Sequence, residues 1–327
     1  MHVLVLGAAG MLGRKLVERI AAEGGLGGRP VDRLTLHDIV TPVPPAGLTI
    51  SSTIHASDLA QGDNAARLVA ARPDIIIHLA AVVSGEAEAN FELGYHVNLD
   101  GTLKLFEAIR GVGDGYCPRV VFTSSIAVYG APYPEPIPDD FNLTPLTSYG
   151  AQKAMGEFLL ADYSRRGFLD GVGLRLPTIC VRPGKPNKAA SGFFSGIIRE
   201  PLAGMEAILP VSEDVRHWFA SPRAAIGFIV HAAGLDTRPL GQRRSFALPG
   251  VAATVGEQIE ALRRVAGDKV ARRIRREPDE TIIRIVAGWP RSFDPQRALA
   301  LGFAAETSFD EIIRAHIADE LGGTFVA

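Results

Sequence analysis

The chain has 327 residues, 47% of them hydrophobic and 21% charged, with a formal net charge of −2. That balance suits a globular protein with a sizeable core and leaves no electrostatic footprint for nucleic acid or an anionic membrane. The apolar run Val3–Leu6 stops at glycine, no later run is long enough to span a bilayer, and Cys117 and Cys180 lack metal-ligand spacing. The expectation is therefore a cytoplasmic, metal-independent protein with both thiols reduced in its core.

Short apolar stretches bounded by Gly, Pro, Asp or Ser predict strands at His2–Leu6, Arg33–His37, Thr49–His55, Ile75–Leu79, Val120–Thr123 and Gly173–Leu176. Helical patterns lie between them at Leu12–Ala22, Asn64–Ala71, Phe91–Ile109 and Tyr149–Arg165. Such alternation predicts an α/β fold, a Rossmann-type doubly wound parallel sheet, with strands apolar on both faces. After Pro177 the texture changes. A buried helix at Ala224–Ala233, a strand at Arg244–Leu248, a helix at Val255–Ala266, the basic segment Lys269–Arg276 and a helix at Phe309–Glu320 predict a smaller C-terminal substrate lobe. The expected division is a dinucleotide-binding domain over 1–178, with part of 220–240 returning to it, and a substrate lobe over 179–327.

Gly7-Ala8-Ala9-Gly10-Met11-Leu12-Gly13 joins the first strand to the first helix. Glycines there permit the tight turn, the approach of backbone to a pyrophosphate, and close helix–sheet packing. Asp38 ends the second strand, where an acid accepts hydrogen bonds from ribose hydroxyls and repels a 2′-phosphate, favouring NAD over NADP. Arg14 and Arg33 are the residues that could soften that preference. Asp58, beside Leu59, is placed either to bind the adenine amino group or to cap the turn into the next helix. Leu79-Ala80-Ala81 offers small residues beneath the cofactor, and His78 before them reads as a core histidine. Asn98, a poor helix former in mid-helix, suggests a side chain traded for backbone stabilisation or a water relay.

Tyr149 and Lys153 are four residues apart, so a helix stacks them on one face. A phenol titrates near 10, and a neighbouring ammonium and an oxidised nicotinamide would both favour its phenolate. Thr123-Ser124-Ser125 runs off the fifth strand at the end where ligands bind in parallel sheets. These features, with Asp58, Asn98, Thr123-Ser124-Ser125-x-x-x-Tyr129-Gly130 and Leu176-Pro177-Thr178, resemble the extended short-chain dehydrogenases of the epimerase/dehydratase superfamily. The resemblance implies Ser125 polarising the substrate oxygen, Tyr149 moving its proton and Lys153 holding the cofactor NAD. It also implies that the segment around Pro177 and Thr178 packs on the nicotinamide.

Two stretches depart from the nucleotide-sugar members. Arg216-His217-Trp218-Phe219-Ala220-Ser221 lacks their acidic pair, and the segment after Arg182 lacks their Tyr-Gly-Pro. Arg182, Lys185, Asn187, Lys188 and Ser191 instead cluster cations and donors suited to a small anionic polyhydroxy acid, with Arg216 a further candidate. The runs 162–167, 174–184 and 191–194 resemble the D-erythronate dehydrogenases, which implies oxidation of the 2-hydroxyl of a small sugar acid. A nucleotide-sugar epimerase/dehydratase and a non-catalytic NAD-sensing regulator are the alternatives. A homodimer is expected, through Tyr95 and His96 or the face of the Phe91–Ile109 helix, against packing of that face within the monomer.

Overall fold

The computed structural model describes residues 1–184 and 191–327. Strand β1 (His2–Leu6) is buried along its whole length and feeds helix α1 (Met11–Glu23), which Gly24 closes in the left-handed conformation. Strands β2 (Arg33–Asp38) and β3 (Ser51–Ala56), helix α2 (Asn64–Val69) and strand β4 (Ile75–His78) follow. Next come helix α3 (Gly101–Val112), strand β5 (Arg119–Ser125), helix α4 (Ser148–Arg165) and strand β6 (Asp170–Leu176). The last third contributes β7 (Thr178–Ile179), α5 (Gly192–Leu202), β8 (Arg216–Ala220), α6 (Pro222–Gly234), β9 (Ser245–Ala247), β10 (Val251–Thr254), α7 (Val255–Ala266) and α8 (Phe309–Glu320).

Seven strands form one sheet in the order β9-β6-β5-β4-β1-β2-β3. This is the Rossmann-type α/β arrangement expected from the alternating pattern. Its parallel register aligns Leu6 with His37 and His78, His37 with His55, and His78 with Phe122. One row across the sheet therefore places Gly7 and Leu79, just beyond the carboxyl ends of β1 and β4, level with Asp38 at the end of β2 and Thr123 near the end of β5. The chain order reverses between β1 and β4, and such a switch point is where open α/β sheets take their ligands.

The chain forms two compact units: 1–128 with 147–175 and 226–246, and 129–146 with 176–225 and 247–327. This division departs from the expected boundary at 178. Residues 129–146 leave the first unit because Ile137–Pro138 pairs with Phe293–Asp294. Residues 226–246 return, in line with the expectation for part of 220–240, and bring most of α6 and the edge strand β9 into the first unit. Leu4, Leu68, Ile76, Leu105, Phe106, Ile109, Val120 and Leu160 make a core for the first unit. Phe194, Ile198, Phe219, Ile259, Leu262, Phe309 and Ile313 make one for the second. Each such side chain contributes about 1.5–3 kcal/mol when fully removed from water.

Three expectations need correction. Not all strands are buried: β3 reads Ser-Ser-Thr-Ile-His-Ala and is exposed at every position, because it is the open edge of the sheet. The single helix expected over Phe91–Ile109 is a short turn at Phe91–Gly94, a π-helical turn at Tyr95–Asp100 and α3; Leu105, Phe106 and Ile109 pack within the monomer. Cys117 is exposed, in the loop before β5, while Cys180 is buried.

Candidate active site

The glycine turn is built by contact. Gly7 and Ala8 donate their amides to the His37 carbonyl at 2.9 and 3.0 Å, which folds the turn over the end of β2. Gly7 has φ +87°, and a Cβ at Gly13 would lie 2.1 Å from the Gly7 oxygen, so no side chain fits there. Among the described residues no side chain caps the first turn of α1. Its amides are left for a ligand, the arrangement a diphosphate requires. Asp38 accepts from the amides of Ala9 at 2.9 Å and Ile39 at 2.7 Å, so its carboxylate stands at the rim of the turn. Arg33 does not: it starts β2, about 16 Å from Asp38 at strand rise, and bonds His2 and the Ala71 carbonyl. Gly10 is exposed, with Met11 and Leu12 half-buried behind it.

Asp58 takes the Ala60 amide at 2.8 Å, capping its turn, and pairs with His96 at 2.7 Å. Burial pushes its carboxyl up, but His96 and the Ala60 amide outweigh that and hold it below the usual range. Leu59 is buried beside it, and Leu79, Ala80 and Ala81 are half-buried. His78 is the core histidine expected. It is buried against Thr102 at 2.9 Å, and desolvation with the nearby Lys153 charge depresses its titration to about 3, so it stays neutral. Asn98 sits in the π-helical turn with its amide spent as foreseen: Val82 N donates to it at 2.8 Å, and it donates to Val82 O at 3.0 Å and to Gln152 at 2.7 Å.

Thr147 caps α4 by accepting from Gly150 N at 3.1 Å, which orients Tyr149 and Lys153 on the first two turns. Lys153 is buried, and its Nζ donates to the Thr123 carbonyl at 2.9 Å while lying 5.7 Å from the centre of the Tyr149 ring. Burial lowers its titration to about 8, against the pull of the Glu157 charge. The three hydroxyls ending β5 separate by environment. Thr123 donates to the His78 carbonyl at 3.0 Å and Ser124 to Glu157 at 2.5 Å, both buried. Ser125 is half-buried and accepts only a 3.1 Å bond from Ala127 N among the described contacts, two residues after the Thr123 carbonyl that holds Lys153. Sequence reasoning passed over Glu157. Its spacing of four beyond Lys153 was the available signal.

In the second unit, Pro177 is buried and Thr178 half-buried. The Nδ1 of His217 faces the Pro290 carbonyl at 2.7 Å and must donate there, so its Nε2 accepts from the Thr178 hydroxyl at 2.6 Å. Burial takes His217 down to about 4, which keeps that tautomer neutral. Arg182 and Ser191 come together at 2.9 Å, and the Arg182 amide bonds Ser195 at 3.0 Å. Arg216 has a chain partner already, the Glu257 carboxylate at 3.4 Å, and donates weakly to the Ala252 carbonyl. Lys185, Asn187 and Lys188 lie outside the described residues.

A parallel sheet with a glycine turn at its switch point, and a Tyr–Lys pair held against the end of β5, defines the class: the extended short-chain dehydrogenases. A model of the NAD dependent epimerase/dehydratase family matches residues 3–221. D-erythronate dehydrogenase of Cupriavidus necator is 49% identical over 324 residues, 98% of each chain, and that of Haemophilus influenzae is 40% identical over 97% of this chain and 99% of its own. The crystal structure of the nucleoside-diphosphate-sugar epimerase from Agrobacterium tumefaciens superposes with a TM-score of 0.97 at 61% identity, covering 99% of this chain and 95% of that one. The chain belongs to the NAD dependent epimerase/dehydratase family and is an NAD-dependent oxidoreductase of the short-chain type. No helix among the described residues is long and apolar enough to cross a membrane.

Proposed function

We propose that this protein oxidises the 2-hydroxyl of a small sugar acid of the D-erythronate kind to the 2-oxo acid, with Tyr149 as the acid/base. The observation that carries this reading is the buried Lys153 ammonium, fixed on the Thr123 carbonyl 5.7 Å from the Tyr149 ring. A cation held there favours the phenolate. Tyr149 then takes the hydroxyl proton while Ser125 donates a hydrogen bond to the same oxygen. NAD, when bound, supplies the hydride acceptor for C2. Gly7, Gly10, Met11, Leu12 and Gly13 would carry its diphosphate, Asp38 and Asp58 with Leu59 its adenosine end, and Leu79, Ala80, Ala81 and Asn98 the stretch beneath its middle. Lys153, Tyr149, Pro177 and Thr178 would hold the nicotinamide half. Asp38 favours NAD over NADP, since a 2′-phosphate would meet its carboxylate.

Arg182 with Ser191 is the best-supported carboxylate dock, a guanidinium already oriented by a neighbouring hydroxyl. Arg216 supports the dock less, because Glu257 competes for its charge. The names of the C. necator and H. influenzae relatives support a sugar acid. The A. tumefaciens protein, named a nucleoside-diphosphate-sugar epimerase, favours a second reading, a nucleotide-sugar epimerase. Following NADH absorbance with four- to six-carbon aldonates and with UDP- and dTDP-sugars separates the two. NADH accumulating with an aldonate alone is the expected result. Conversion of a nucleotide sugar without net NADH overturns the proposal.

A further inference from the structure

Helix α4 does more than carry Tyr149 and Lys153. One turn after Lys153, the same face presents Glu157, buried to 4% exposure. Its carboxylate accepts from the Ser124 hydroxyl at 2.5 Å and from Arg175 on β6, with Nε at 3.0 and 3.1 Å and Nη2 at 2.7 Å. Strand β6 is the neighbour of β5 in the sheet. A single carboxylate thus ties α4 to the ends of two adjacent strands. Consecutive residues of β5 are held from this one helix face: Thr123 by the Lys153 ammonium through its carbonyl, Ser124 by Glu157 through its hydroxyl. The next residue is Ser125. The helix lies close enough for these short reaches because residue 156 is glycine; a Cβ there would sit 2.7 Å from the Phe122 ring.

A buried ion pair is costly to desolvate, and apolar residues of the same volume commonly fill such a place without loss of stability. Packing alone therefore gives no reason for charge at this point. We propose that Glu157, held by Arg175 and acting through Ser124, is a positioning residue of the active site: it sets the strand end that presents Ser125 and places a carboxylate one turn from the Lys153 ammonium. This inference rests on the catalytic roles proposed above for Ser125, Tyr149 and Lys153.

The groups around Lys153 make its charge sensitive to this carboxylate. They are the Thr123 carbonyl and the Phe122 ring on β5, the Tyr149 ring on its own helix, and His78 on β4, which stays neutral. Glu157 is the acidic group among them, with Arg175 behind it on β6. Burial lowers Lys153 to about 8 and Glu157 opposes that fall. Removing the carboxylate makes Lys153 lose its proton at lower pH.

Two variants separate the two parts of the role. Ser124→Ala keeps the charge and releases the strand end. It should lower kcat ~10-fold, with the pH profile unmoved. Glu157→Gln keeps an acceptor for Ser124 and removes the charge. It should move the alkaline decline of NADH affinity, followed by NADH fluorescence, toward neutral by about one pH unit. Because Glu157→Gln removes the carboxylate that pairs with the buried Arg175, the double variant Glu157→Gln/Arg175→Met is measured beside it, with thermal melting to verify the fold; a smaller shift in the same direction is expected. Native kcat in Ser124→Ala together with an unmoved NADH profile in a folded Glu157 variant overturns the proposal. NADH binding needs no substrate, so this readout stands even where the sugar-acid assignment fails. That assignment fails separately, on inactivity toward every aldonate.

Discussion

The two units hold their candidate sites in different ways. In the first unit the site is made by backbone: a glycine turn whose amides bond the His37 carbonyl, strand ends aligned in one row, and a Tyr–Lys pair set by helical spacing. In the second it is made by long side chains, and these have partners of their own, Ser191 for Arg182 and Glu257 for Arg216. A site fixed by backbone tolerates little change in position, whereas a site of long side chains is set by competition among its partners. Chemistry is therefore expected to be rigid in the first unit and substrate choice adjustable in the second.

Four measurements bear on that contrast. Loss of the Tyr149 hydroxyl in Tyr149→Phe should reduce kcat by about 10²–10⁴-fold; near-native turnover would break the contrast at its rigid end. Arg182→Ala should raise KM for the sugar acid about 10–100-fold, the worth of a charged hydrogen bond, while kcat changes little. An equal fall in kcat would place Arg182 in the chemistry and not in recognition.

Acid stability compares the units through the two histidines that burial depresses furthest: His78 at about 3 in the first, His217 at about 4 in the second. Both lie below the ordinary 6.5, so the unfolded chain takes up protons that the folded chain refuses. Stability is therefore full above about pH 7 and falls as pH drops through 6.5 toward 4, where the slope from His217 ends before that from His78. Urea unfolding at about pH 7 and about pH 5.5 should differ by roughly 1 kcal/mol for each histidine, and equal midpoints would contradict the assignment. The smallest effect is expected from Arg216→Ala. Its pairing with a half-exposed Glu257 is worth about 0–1 kcal/mol, and KM for the sugar acid should change less than about threefold; a rise matching that of Arg182→Ala would make both arginines part of the dock.

How far the sequence could be read follows the same division. The glycine turn, Asp38, and the Tyr149–Lys153 pair were legible because local backbone rules place them. His78 and Asn98 were read correctly from residue type alone, one as a core histidine and the other as an amide trading with backbone. What stayed hidden depends on partners far along the chain. Only the resemblance singled out Ser125 from Thr123 and Ser124; the partners that occupy the other two hydroxyls, the His78 carbonyl and Glu157, are 45 and 33 positions away. Arg216 looked available until β10 and α7 brought Ala252 and Glu257 beside it. The exposed β3 was misread because its edge position belongs to the sheet order and not to the strand itself.

Ser125 and Tyr149 lie on either side of residues 129–146, the excursion that belongs to the second unit. The chain passes from one unit to the other after residues 128, 146, 175, 225 and 246. No contiguous segment therefore carries either unit whole. A chimaera joining the N-terminal half of this enzyme to the C-terminal half of a relative would ask Ile137–Pro138 of one parent to pair with a foreign counterpart of Phe293–Asp294. Substrate range in this lineage is thus better redesigned residue by residue than by exchanging halves.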